Sequence, residues 1–439
     1  MYKQVSEELL SLIQQSPSCF HAVRTISALL EEAGYTQLNE CDSWKLEKGG
    51  KYYTTRNGSS VIAFAIGEEL DDYHFQLTSS HSDSPTFKVK ERAELKGKGG
   101  YLQLNTEGYG GMLCATWMDR PLSVAGRVTL RTADGIEIKN VDLCDPVALI
   151  PNVAIHMNRN ANDGASFNAA VDMLPLYALG EGEKVTLRAR VAEALGVRDT
   201  DILTTDLFVY NTQRGIEWNG MISAPRLDDL QCVFASLCAF IESGKSGEAS
   251  GAIPMFCLFD NEEVGSQTKQ GAASTFLCDV LERISGAAGL SPAEHRRRIA
   301  NSFLVSCDNA HAVHPNHTEY ADRNHSVFMN RGIVIKYNAN QRYTSDAVSA
   351  GIFRLVCEKA NVPTQYYANR ADMPGGSTLG NIANTQVSLN TVDIGLAQLA
   401  MHSSFETAGA LDTYYLVNAL SAFFGMKLCF AGNGKYRLG

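Results

Sequence analysis

Ile253-Pro254-Met255-Phe256-Cys257-Leu258-Phe259 runs apolar for seven residues and then breaks into Asp260-Asn261-Glu262-Glu263. An apolar run of this length without alternation fits a strand buried on both faces of a parallel sheet. In open α/β sheets, functional groups gather just beyond the carboxyl ends of the strands. The polar quartet therefore marks one edge of such a sheet as the place to look for chemistry.

The same texture recurs downstream. Apolar segments at 303–307, 333–337, 364–367 and 386–391 read as strands. Amphipathic stretches at 230–242, 274–284, 345–359 and 408–424 read as helices between and after them. This alternation is the pattern of an α/β fold, a mixed, mostly parallel sheet flanked by helices.

Upstream, two helical patterns open the chain and are broken at Ser16-Pro17, with Ser18 as N-cap of the second and Gly34 as its stop. Strands at 51–55 and 60–66 flank Asn57-Gly58, the dipeptide favoured where both turn residues take positive φ. A short strand at 74–78 then delivers Ser79-Ser80-His81-Ser82-Asp83. From about Phe87 to about Thr212 the texture changes to glycines and alternating strands, such as 128–131 and 137–140 around Asp134-Gly135. The chain thus divides into a first part of the main domain at 1–90, an inserted β-rich domain at 91–215, and a second part at 216–439.

Composition narrows the function classes. A length of 439 residues and 45% hydrophobic content give ample material for a large core. A formal net charge of −10 argues against nucleic acid and anionic membrane as partners, because either repels the average surface. The eleven cysteines are odd in number and contain no C-x-x-C pair, as expected of reduced thiols in a cytoplasmic protein. A charged N-terminus and the lack of any apolar run near ~18 residues predict a soluble chain with neither signal peptide nor membrane span.

Four segments carry metal-compatible side chains toward one sheet edge, His81 with Asp83, Glu262-Glu263, Asp308 and His402, and Asp228 sits at a helix start soon after the inserted domain. Hydrolysis of a peptide near neutral pH needs an activated water, a polarised carbonyl and a proton for the leaving amine. Two metal ions ~3.5–4 Å apart with a bridging carboxylate supply the first two. Zinc accepts imidazole and carboxylate ligands alike. His81 and Asp308 are assigned to one Zn2+, Glu263 and His402 to the other, with Asp228 as bridge and Asp229 as its competitor. Glu262 remains unligated and suits a general base. Asp83 is placed to accept the other imidazole N–H of His81. Cobalt and manganese accept the same donors.

Two motifs look like sites and are weighed otherwise. His311, His314 and His317 form a spaced run interrupted by Pro315, which fits a loop or a site wall better than a primary zinc site. Gly375-Gly376-Ser377-Thr378 lacks the lysine of a phosphate loop and reads as a substrate loop.

With these residues in place, the chain resembles the aspartyl aminopeptidase family over nearly its whole length. The matching segments include Ser16-Pro17-Ser18-Cys19-Phe20-His21, His81-Ser82-Asp83-Ser84-Pro85, Pro225-Arg226-Leu227-Asp228-Asp229, Asp260-Asn261-Glu262-Glu263-Val264-Gly265-Ser266, Asp308-Asn309-Ala310-His311 and Gln398-Leu399-Ala400-Met401-His402-Ser403. The resemblance implies a zinc-peptidase fold whose inserted domain makes a dimer within a homododecamer. It implies two zinc ions per subunit, Asp228 rather than Asp229 as bridge, and Glu262 as base. It further implies that His156, in Ile155-His156-Met157-Asn158, reaches a neighbouring subunit's active site and donates to the developing oxyanion. Lys336 matches a family lysine near the pocket for the first substrate side chain, which implies preference for N-terminal Asp or Glu in peptide substrates. Met373-Pro374-Gly375-Gly376-Ser377 departs from the family's commoner Thr-Pro-Cys-Gly-Thr. The alternative enzyme is a dizinc dipeptidase or N-acyl-amino-acid deacylase, separable by comparing a dipeptide, a longer peptide and an N-acetylated amino acid. A non-enzymatic shell protein stabilised by metal is the remaining class.

Overall fold

A computed structural model describes residues 2–67, 73–180, 186–244 and 251–439. Its centre is a nine-stranded sheet in the order Thr36–Gln37, Lys51–Arg56, Ser60–Ala65, Ala252–Phe259, His74–His81, Phe303–Cys307, Asn390–Gly395, Ile333–Tyr337 and Thr364–Ala368. The four strands from Ala252–Phe259 to Asn390–Gly395 run parallel, and Ile333–Tyr337 runs antiparallel to its neighbour Asn390–Gly395. Alternation of side chains across the pleat divides the core into two layers. Phe256, Leu258, Phe303, Val305, Val392 and Ile394 face the helices Leu227–Ser243 and Ala410–Gly425 on one side. Met255, Cys257, Phe259, Phe75, Leu77 and Leu304 face Phe276–Ala287 and Leu379–Gln386 on the other.

Burial on both faces explains why these strands read as unbroken apolar runs. Phe256 is fully buried, with its ring stacked 6.2 Å from that of Phe240. Phe256→Ala is therefore expected to lower unfolding free energy by about 3–5 kcal/mol, read from the midpoint of urea denaturation at constant slope.

The opening helices, Tyr2–Gln15 and Cys19–Glu32, break where Ser16-Pro17 predicts. Ser18 is the N-cap residue, but its hydroxyl pairs with His21 Nδ1 at 2.8 Å rather than with a helix N–H. Asn57 and Gly58 both take positive φ, at 59° and 65°, as the hairpin requires. The strand expected at 74–78 continues to His81, so His81 is its last residue.

The strand expected at 386–391 is displaced. Leu379–Gln386 is helical, and the strand is Asn390–Gly395. Asp393 hides it from a hydropathy reading: it is fully buried, and its carboxylate accepts from the hydroxyls of Thr344 and Thr378 at 2.7 and 2.9 Å. The helix Pro292–Ala300 was not anticipated, although Ser291 and Glu294 carry a cap pattern in which the serine hydroxyl accepts the Glu294 N–H.

Between Thr86 and Asn211 a six-stranded antiparallel sheet forms, in the order Ile136–Asp142, Leu122–Arg131, Ile202–Asn211, Thr86–Lys96, Tyr101–Tyr109 and Leu176–Leu179. Phe87, Leu104, Trp117, Val124, Leu187 and Val209 belong to its separate apolar core. All eleven cysteines are free, and among the described residues no helix is long and apolar enough to cross a membrane. Most of the polar link at 243–251 lies outside the described residues.

Candidate metal centre

A small sheet that the sequence does not announce assembles the site. It runs Ile216–Trp218, Met221–Ala224, Glu406–Gly409, Ala397–Leu399 and Ala310–His311. Asp228 follows its second strand, His402 lies between two others, and Asp308 leads into the last. Strands of two to four residues have too little sequence to carry a periodicity. Their pairing nevertheless fixes three of the expected donor segments relative to one another.

The donors converge. His81, Asp228, Asp229 and Asp308 bring ligand atoms within 4.8 Å of one another, as do His81, Glu262 and Glu263, and also Asp228, Glu263 and His402. Asp228 is central: its Oδ1 lies 3.4 Å from His81 Nε2, and its Oδ2 lies 3.5 Å from His402 Nε2. His81 Nε2 is 4.0 Å from Asp308 Oδ1, and His402 Nε2 is 3.4 Å from Glu263 Oε2. Asp229, joined to Asp228 by a cis peptide, instead accepts the His81 backbone N–H at 3.2 Å.

The imidazoles are held from behind, which frees each Nε2 for the cluster. His81 Nδ1 meets the Asp83 carbonyl at 3.0 Å and the Asp83 carboxylate at 3.5 Å, so the nearer partner is the main-chain oxygen. The Asp83 carboxylate accepts the N–H groups of Glu262 and Glu263 at 3.1 and 3.2 Å and the Tyr109 hydroxyl at 2.7 Å. His402 Nδ1 meets the carbonyl of Gly111, which follows the strand Tyr101–Tyr109 of the six-stranded sheet. The backbone of Gly110 also packs so closely on Glu263 that a Cβ there would lie 3.1 Å from Glu263 Cβ.

Electrostatics point the same way. Asp228, Asp229, Glu262, Glu263 and Asp308 crowd together, with Lys336 as the fixed cation among them. Burial, opposed by His81 and reinforced by Asp308, Asp83 and Asp228, pushes the Glu262 carboxyl up to about 8. Burial together with the Asp228 charge likewise raises Glu263 well above the carboxylate range. Burial alone would raise Asp228 too, but His402 and His81 against its two oxygens hold it well below that range. Asp228 Oδ1 and Glu263 Oε1 are buried without a hydrogen-bond partner. Unpartnered carboxylate oxygens beside imidazole nitrogens fit divalent cations, which supply the positive charge the cluster lacks.

Lys336 is 2% exposed and reaches the cluster from a strand running the opposite way. Its ammonium donates to the carbonyls of Asp308 and Asn309 at 2.7 and 3.2 Å and lies 3.6 Å from Asp308 Oδ2. His156 is not among the converging residues; it lies exposed in a turn. His314 and His317 form no donor cluster among the described residues, and His317 stacks on Tyr320. His311 packs edge-on to Tyr367.

Residues 12–424 match the family described as aminopeptidase I zinc metalloprotease (M18). The chain belongs to the M18 aminopeptidase family. It is 43% identical over 432 residues to the probable M18 family aminopeptidase 2 of Clostridium novyi (strain NT), covering 96% of this chain and 98% of that one. The probable M18 family aminopeptidase 2 of Stutzerimonas stutzeri (strain A1501) is 42% identical, with coverage of 97% and 99%. Among solved structures, the complex of Ape4 and Nbr1 superposes with a TM-score of 0.92 at 33% identity, covering 97% of this chain and 86% of that one. The S. cerevisiae mApe1 dodecamer superposes with a TM-score of 0.84 at 28% identity, covering 96% and 97%. This M18 aminopeptidase is therefore a hydrolase that removes residues from peptide N-termini, and its mixed α/β fold is that of the family.

Proposed function

We propose that the site works with two zinc ions and favours acidic N-terminal residues. The observation that carries the ion count is Asp228, whose two oxygens face different imidazoles at 3.4 and 3.5 Å. His81 and Asp308 would hold one ion, Glu263 and His402 the other, with Asp228 shared. Bound there, the ions would polarise the scissile carbonyl and lower the pKa of water. Glu262 would take a proton from the attacking water and return it to the leaving nitrogen. Asp83 aims Glu262 and Glu263 through their N–H groups. Cobalt or manganese would satisfy the same donors.

Acidic preference rests on Lys336, whose buried ammonium at the edge of the cluster favours a carboxylate on the first substrate side chain. The test is a profile over N-terminal residue types, run with Lys336→Ala alongside. The expected result is an Asp-over-Leu preference in kcat/KM that falls on the order of 30-fold in the variant, from loss of a buried charge pair. An unchanged preference would reject the assignment. Loss of zinc would instead make the lysine a support for Asp308.

The insert at 91–215 is read as the dimerisation domain of a cytoplasmic homododecamer, in keeping with the dodecameric yeast structure. Val153, Ile155 and Met157 are 56%, 47% and 83% exposed around His156. So apolar a turn suits burial against a second copy, where His156 would donate to the developing oxyanion.

A further inference from the structure

We infer that Glu406 is a positioning residue for the metal centre, tying the backbones of Asp228 and His402 into one register. The inference rests on the two-ion reading above. Glu406 opens the strand Glu406–Gly409, and the antiparallel register sets it opposite Ala224, just ahead of Asp228 in the chain. Its side chain is sealed in, at 2% exposure. Oε2 accepts the Asp228 N–H at 3.0 Å, and Oε1 accepts the His402 N–H at 2.8 Å. One rigid carboxylate therefore sets the spacing between the proposed bridge and the proposed ligand of the second ion.

The local backbone gives that grip a purpose. His402 has φ of 67°, a conformation that costs a non-glycine residue free energy and persists only where neighbouring structure imposes it. The Glu406 oxygen on its N–H and the Gly111 carbonyl on its Nδ1 hold the ring from two sides. Among the described residues no salt bridge holds Glu406; its carboxylate takes the two ligand N–H groups and lies in the field of the buried Arg226 guanidinium and of His402. Asp83 does the same for Glu262 and Glu263, and Lys336 does so for the Asp308 carbonyl. Buried charged side chains thus frame the ligand set through its main chain. Both oxygens of Glu406 are acceptors in use, so an isosteric amide must turn its NH2 group toward one ligand N–H.

The test compares zinc affinity, by competition with a chromophoric chelator, in the full-length protein, Glu406→Gln and Val209→Ala. Val209 is 1% exposed and lines the same cavity as Glu406 and Asp83, with no bond to a ligand N–H. Glu406→Gln is expected to bind zinc about 10–100-fold more weakly, with kcat restored by saturating zinc and KM little changed. Val209→Ala is expected to lower Tm without moving zinc affinity. Equal zinc affinity in Glu406→Gln, or an equal loss in Val209→Ala, overturns the inference. If Glu406→Gln is unfolded until zinc refolds it, the coupling supports the inference; if it stays unfolded with zinc, Glu406 is structural only and the inference fails. A wild-type protein that binds no zinc overturns the two-ion reading and this inference together, whereas normal wild-type binding with an unaffected variant overturns this inference alone.

Discussion

Glu262→Gln is expected to keep its full zinc complement while kcat falls by about 10²–10⁴-fold, the range supplied by a positioned general base. Glu262 sits beside His81 and Glu263 in the donor cluster, but its N–H is fixed by Asp83 Oδ1 at 3.1 Å, and no imidazole pairs with its carboxylate among the described residues. A carboxylate oxygen of Glu262 stands within 4.8 Å of ligand atoms of His81 and Glu263, close enough to serve a water held at the cluster. An amide of the same shape keeps the packing and removes the proton acceptor. Steady-state kinetics paired with elemental analysis check both halves. Retention of most of the activity would reject the base, and loss of zinc would reclassify Glu262 as a ligand.

Asp228→Asn is expected to have the broader effect, dropping zinc from about two equivalents to below one and activity below detection. The amide offers one oxygen in place of two and turns an NH2 group toward either His81 or His402, where Asp228 oxygens lie at 3.4 and 3.5 Å. Asp229→Asn is the matched control. Its carboxylate serves the His81 N–H and lies beside Cys232, so zinc binding is expected to survive with a lower Tm. A full zinc complement in Asp228→Asn, or zinc loss confined to Asp229→Asn, would contradict the assignment of the bridge.

How much of this was legible beforehand follows from the kind of signal each residue leaves. The strands at 303–307 and 333–337 match Phe303–Cys307 and Ile333–Tyr337, because burial on both faces demands an unbroken apolar run. The helix expected at 408–424 is Ala410–Gly425, since an apolar stretch of this length is too long for a strand. Asn390–Gly395 was misplaced because a satisfied buried Asp393 looks polar in sequence and apolar in context. Glu406 was missed although it stands four residues beyond His402, since a lone glutamate before a two-residue-period strand leaves no pattern. The carbonyls of Gly111 and Asp83 were out of reach altogether, because every residue has a carbonyl.

The sequence by itself determined the layer architecture and the donor types, since hydrophobic periodicity is written locally and His, Asp and Glu are chemically distinctive wherever they stand. Only the tertiary structure decided that Asp228 turns one oxygen to each imidazole, that Lys336 reaches the cluster from an antiparallel strand, and that Gly110 and Gly111 steady Glu263 and His402. Those facts depend on angles and on main-chain atoms brought together from remote parts of the chain, which no local pattern of side chains encodes.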